Sequence, residues 1–132
     1  MKVPAVLLDT CGLLAWLYQT DDLTPSTQSV IDQAWKSGRL GCCAVTIWEI
    51  AWKHRNGKLQ LPGTTADFAA QVRGTQLVVH PADHALWWTI ATMDWPHRDP
   101  ADRLIVALAE KLRCPLITND RTILDRYPDC HW

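Results

Sequence analysis

Hydrophobic and polar residues follow two alternating rhythms along this chain. Short unbroken apolar runs at 5–9 (AVLLD), 40–45 (LGCCAV), 77–80 (LVVH) and 116–118 (LIT) predict strands, buried on both faces as in a parallel sheet. Between and after them, apolar residues recurring every three or four positions predict helices over 13–18, 26–36, 46–55, 65–73, 81–93, 100–112 and 121–127. A last short strand is expected at 130–132. A turn is expected at 21–25 and loops at 59–63 and 95–99, while Gly38 and the pair Asn56-Gly57 stop the helices before them. Strands that alternate with helices, without repeats, linkers or low-complexity stretches, predict one α/β domain over 1–132, built on a doubly wound parallel sheet.

Composition narrows the class without changing the fold. A chain of 132 residues with 48% hydrophobic and 20% charged residues is an ordinary globular domain. It is long enough to bury about two thirds of its unfolded surface. The formal net charge of −1 gives no global basic field, so binding of nucleic acid would need a local patch or a metal ion. The opening MKVPAVLLD has too short an apolar run for a signal peptide, and no stretch approaches the roughly 20 apolar residues of a membrane span. A cytoplasmic protein is expected. The five cysteines are odd in number and lack C-x-x-C or zinc-type spacing, which predicts buried free thiols in a reducing compartment. Most of the eight tryptophans are expected in the core, except Trp48 and Trp52, one turn apart on a helix whose other flank is apolar, which are expected to be exposed on the free monomer.

The candidate chemistry sits at element ends. Asp9 closes the first apolar run, Glu49 lies in TIWEIAWKHR, Asp102 in HRDPADRLIVALA and Asp120 in PLITNDRTI. In an open α/β sheet, strand carboxyl ends and facing helix amino ends share the crevice where ligands bind. Carboxylates gathered there need a counter-charge, and a hard divalent cation such as Mg²⁺ or Mn²⁺ among oxygen ligands points to phosphate chemistry.

Each acid also has a purely structural reading. Thr46-x-x-Glu49 fits a capping box, although Glu49, Lys53 and Asn56 form a polar stripe between two largely apolar flanks, one of them carrying Trp48 and Trp52. Asp99 is a natural N-cap with Pro100 at the next position, which leaves Asp102 in the first turn without a capping duty. Asp120 fits the N-cap of 121–127. Lys53, Arg55, His97, Arg98 and Arg103 cluster in sequence around the acids as candidate grips on phosphates, with Arg103 also able to pair with Asp99.

Together, LLDTCGLLAWL, TIWEIAWKHRNGKLQL, HRDPADRLIVALA and LITNDRTI resemble the PIN domain, most closely its VapC-like toxin ribonucleases, over residues 6–127. Cys11 departs from the pattern, standing where members often have a histidine. The resemblance implies a five-stranded parallel sheet of order 3-2-1-4-5. It implies a catalytic site in which Asp9, Glu49, Asp102 and Asp120 bind Mg²⁺ or Mn²⁺, with Asp99 as a supporting or alternate ligand, and hydrolysis of RNA. Asp120 would complete a second metal position if there are two ions. It further implies a homodimer and a small antitoxin whose apolar segment would cover the pair Trp48 and Trp52 and whose arginine would face the acids. A haloacid-dehalogenase-type phosphatase would need an acid at position 11, which is Cys11, and a response-regulator receiver would need an acid pair near Asp9. The remaining alternative is a PIN-like domain that binds RNA or a partner without cleaving.

Overall fold

The computed structural model describes residues 2–20 and 23–132. Three aliphatic side chains without a polar interruption make Val6–Leu8 a strand buried on both faces, β1. The chain then runs through α1 (Thr10–Leu17), α2 (Pro25–Lys36), β2 (Leu40–Cys43), α3 (Ala44–Arg55), α4 (Thr65–Arg73), β3 (Val78–His80) and α5 (His84–Ala91). It ends with α6 (Pro100–Leu112), β4 (Leu116–Ile117), α7 (Arg121–Arg126) and β5 (Cys130–His131). The five strands form one parallel sheet in the order β3-β2-β1-β4-β5. The expected order holds, and it puts β1 at the centre.

Alternation along the strands makes two cores. Leu7, Cys43 and Leu116 face one side, packed with Leu86 of α5, Leu104, Ile105 and Leu108 of α6 and Ile123 of α7. Val6, Leu8, Cys42 and Ile117 face the other, with Leu13, Ile31, Ile50 and Phe68 from α1, α2, α3 and α4. Cys42 and Cys43 therefore point to opposite faces. Cys114 is also buried, but Cys11 is exposed and Cys130 half-buried, so burial of the thiols is only partial.

Helix starts are where the fold departs from expectation. The helix α1 begins at Thr10 rather than 13 because Asp9 caps it, its Oδ1 accepting from the Gly12 N–H at 2.7 Å. The helix α3 begins at Ala44, so Ala44 and Val45 leave the strand expected at 40–45. An apolar run buried on all sides has the same pattern in either state, and length alone could not separate them. The capping box at Thr46 is absent in consequence. Thr46 lies inside the helix, its buried hydroxyl without a hydrogen-bond partner. The helix α5 starts only at His84, capped by Asp83, because residues 81–83 stay extended. Both α4 and α6 keep their expected bounds, each set by a capping residue and, in α6, by a proline at the first position. The turn expected at 21–25 lies partly outside the described residues.

The tryptophans do not fill the core. Trp48, Trp52, Trp87 and Trp88 are exposed, and Trp16, Trp35, Trp95 and Trp132 are only partly buried.

Candidate metal centre

Asp9 stands at the carboxyl end of the central strand, 4% exposed. Two hydrogen bonds hold its carboxylate, from the Gly12 N–H and from the Thr118 hydroxyl beyond β4. Gly12 is required for this approach. A Cβ there would lie 2.5 Å from the Ile117 carbonyl oxygen, so only glycine lets the start of α1 lie against the end of β4. Burial pushes the Asp9 carboxyl up to about 7, the two hydrogen bonds oppose this, and the charges of Asp102 and Asp120 add to it.

Glu49 projects from the second turn of α3 and is also buried. It accepts a hydrogen bond from the Thr10 hydroxyl and pairs with Lys53 at 3.2 Å, one turn along the same helix. Its role is thus not a cap. Although Cys11 as a residue is exposed, partial desolvation of its sulfur, followed by the fields of Asp9, Asp120 and Glu49, pushes the thiol up to about 11.

On α6, Asp99 is the N-cap, its Oδ1 accepting from the Ala101 N–H at 2.9 Å and, more weakly, from the Asp102 N–H at 3.4 Å. That capping leaves Asp102 free for other work. Its carboxylate is raised by burial, steadied by a 2.6 Å hydrogen bond with His97 Nε2, and raised again by Asp99 and Asp120. His97, Asp99 and Asp102 each offer a ligand atom within 4.8 Å of the others, the one such trio among the described residues.

Asp120 follows β4 and caps α7, its Oδ1 accepting from Thr122 N–H at 2.9 Å, while its own N–H donates to Thr118 at 3.0 Å. Thr118 therefore ties Asp9 and Asp120 together. Neither Thr10 nor Thr118 stood out in the sequence. Their signal was only adjacency to an acid, in D-T and T-N-D, and threonines beside acids are too common to single out.

Arg103 requires a correction. Its guanidinium donates to the carbonyl oxygens of His97, Ile90, Met93 and Trp95, at 2.6, 2.7 and 3.2 Å for the first three. It forms no ion pair with Asp99, and its donors are turned inward. Arg103 braces the 90–97 segment that carries His97, and does not present itself to a phosphate. Lys53 and Arg98, by contrast, line a groove of about 1040 Å³ that also includes Glu49 and Asp99. Arg55 is exposed at the end of α3 and is not among the groove's lining residues.

The charged neighbours that reach Asp9 are acids, and among the described residues the groups that offset the acids are Lys53 at Glu49 and His97 at Asp102. A cluster of hard oxygen donors with unmet negative charge fits a hard divalent cation.

Comparison with known proteins bears on the family and the fold. The family profile described as PIN domain matches residues 6–129. No curated protein matches. A chain from a toxin–antitoxin complex from Klebsiella pneumoniae superposes with a TM-score of 0.64 at 12% identity, covering 96% of each chain. FitAcB from Neisseria gonorrhoeae gives 0.60 at 15% identity, again over 96% of each chain. A chain of FitAB bound to an IR36 DNA fragment gives 0.57 at 17% identity, over 96% of this chain and 93% of that one. At such identities the likeness is one of fold.

Proposed function

This chain belongs to the PIN domain family, and from that premise we propose that it is a metal-dependent endoribonuclease and the toxin of a toxin–antitoxin pair. The observation that carries this reading is Asp9, buried at the end of the central strand and pushed up to about 7 by burial and by the acids around it. Asp9, Asp102 and Asp120 would hold Mg²⁺ or Mn²⁺, with Glu49 completing the set and Asp99 beside them. The bound ion supplies Lewis-acid charge for a phosphodiester and lowers the pKa of a water.

The remaining contributions come from the chain. Gly12 N–H and Thr118 fix the Asp9 carboxylate, Thr10 and Lys53 fix Glu49, and His97 fixes Asp102. Carboxylates fixed in advance need no reorganisation when a phosphate arrives. Lys53 and Arg98 provide positive charge at the edge of the acids for the substrate backbone.

A small inhibitor with a basic side chain facing the acids is the partner proposed here, supported by the fold shared with a chain from a toxin–antitoxin complex. A homodimer is proposed alongside it, to be read from the mass in solution. Purified protein incubated with labelled RNA should cleave it in Mn²⁺ and not in chelator, and Asp9→Asn should cleave in neither. Intact RNA in every lane, from a folded protein that binds Mn²⁺, would replace this reading with a binding-only PIN domain.

A further inference from the structure

The closest set of potential ligand atoms among the described residues contains an imidazole. His97, Asp99 and Asp102 bring one nitrogen and two carboxylate oxygens within 4.8 Å of one another. Carboxylates alone suit Mg²⁺, whereas an imidazole among them suits Zn²⁺ and similar borderline transition ions. Even with His97 protonated, two carboxylates and one imidazole leave net negative charge. No lysine or arginine lies within ion-pair distance of Asp99 or Asp102 among the described residues. The cap on α6 uses only Oδ1 of Asp99, so its Oδ2 has no part in capping.

We propose that His97, Asp99 and Asp102 form a metal position of their own, one that takes Zn²⁺ or a similar borderline transition ion in preference to Mg²⁺. Zn²⁺ holds nitrogen and oxygen at about 2.0–2.2 Å, so two ligand atoms on a tetrahedral ion stand roughly 3.4 Å apart. His97 Nε2 and Asp102 Oδ2 share a hydrogen bond of 2.6 Å. An ion that replaces the proton between them therefore needs the pair to open by under about 1 Å. The proton passes to Nδ1 or to water. Three protein ligands leave the fourth tetrahedral position to water.

The imidazole is held before any ion arrives. Arg103 Nε donates to the His97 carbonyl at 2.6 Å, and the Trp95 ring centroid lies 4.9 Å from that of His97. A ligand held from its backbone and its ring keeps the geometry an ion requires. The side chains of His97 and Asp102 are still 27% and 17% exposed, so an ion reaches them from solvent. Asp102 is common to this position and to the one proposed at Asp9 and Asp120. Since Oδ2 is the oxygen beside His97, Oδ1 is left for the other ion, and one carboxylate serves both. The inference goes beyond phosphodiester cleavage and does not depend on it.

The test is Zn²⁺ binding to RNA-free protein in millimolar Mg²⁺, which fills the acids and leaves the imidazole position to Zn²⁺. Affinity is read by isothermal titration calorimetry, and the histidine ring nitrogens by NMR of ¹⁵N-labelled protein. One Zn²⁺ should bind and shift Nε2 of His97, whose signals are those missing from His97→Gln. That variant can still donate to Asp102 but offers no imidazole, and should bind Zn²⁺ roughly 10- to 100-fold more weakly or worse. Asp99→Asn keeps the cap and removes the charge, and should weaken Zn²⁺ while circular dichroism and melting stay unchanged. Zn²⁺ that binds with the His97 ring unmoved, or binds His97→Gln as tightly as wild type, would overturn the proposal. So would Zn²⁺ displaced by Mg²⁺, because the two ions would then compete for the acids alone. Zn²⁺ held by His97 in a protein that cleaves no RNA leaves this position standing and removes the ribonuclease. Metal-dependent cleavage with no Zn²⁺ at His97 does the reverse.

Discussion

Asp9 is held against its own charge. Its folded carboxyl titrates near 7 while an unfolded one titrates near 3.8, so between those values the folded state binds the extra proton. The stability this proton provides is complete below about pH 4 and is lost as pH rises through 7. Metal-free protein should therefore melt at a lower temperature at pH 8 than at pH 5, as far as Asp9 governs it. Asp9→Asn, which can still accept from Gly12, should raise metal-free stability at pH 8 on the order of 2 kcal/mol, followed by thermal denaturation. The same variant should lose RNA cleavage. An unchanged or lower melting point at pH 8 would mean that the carboxylate finds a counter-charge in the free protein. The two acids of α6 should separate in the same assays. Asp99→Ala removes a cap and should cost about 1 kcal/mol, with a modest loss of cleavage. Asp102→Asn should spare stability and abolish cleavage. The opposite ranking would move the metal ligand one turn back along the helix.

At the scale of elements, the site depends on how four helix starts meet the sheet. Asp9 and Asp120, two of the four acids, cap helix starts, and Asp99 beside them does the same. Helix amino termini favour negative charge, which partly offsets the crowding of carboxylates. The segment before α6 has no regular structure, and Arg103 holds it by its carbonyls. Arg103→Met keeps the stem but leaves partly buried carbonyls unpaired, and should cost about 1–3 kcal/mol in denaturant unfolding. Because His97 rides on that segment, metal affinity should fall as well. Loss of stability with metal affinity unchanged would show that His97 reaches Asp102 without the brace.

For the whole molecule, the four acids come from distant parts of the chain, so a site built from them exists only in the folded state. A divalent ion that binds there binds the native state and stabilises it by mass action, by about 2.7 kcal/mol at a hundredfold excess over Kd. Millimolar Mn²⁺ should therefore raise the melting temperature, and more at pH 8 than at pH 6, because protons compete for Asp9 at the lower pH. No shift at pH 8 would remove the metal centre while leaving the PIN fold in place. Among the described residues no helix is long and apolar enough to cross a membrane.

The chain alone determined its class and its acids. Unbroken apolar runs can only be strands or helices buried all round, and their alternation with periodic segments leaves a parallel α/β sheet as the economical solution. Punctuation by proline, glycine and capping residues placed α4 and α6 to the residue, since those signals act through the local backbone. Motif resemblance supplied the strand order, which no local signal carries. Tertiary structure decided what depended on neighbours distant in sequence. It moved the start of α3 to Ala44, because an apolar run is consistent with either state until packing selects one. It turned Glu49 from a possible cap into a buried acid held by Thr10 and Lys53. It took Arg103 away from substrate by setting four carbonyls around it, and it left Trp87 and Trp88 in water where composition suggested a core. Hydrogen bonds and burial between remote segments have no period to read, so only the folded chain could assign them.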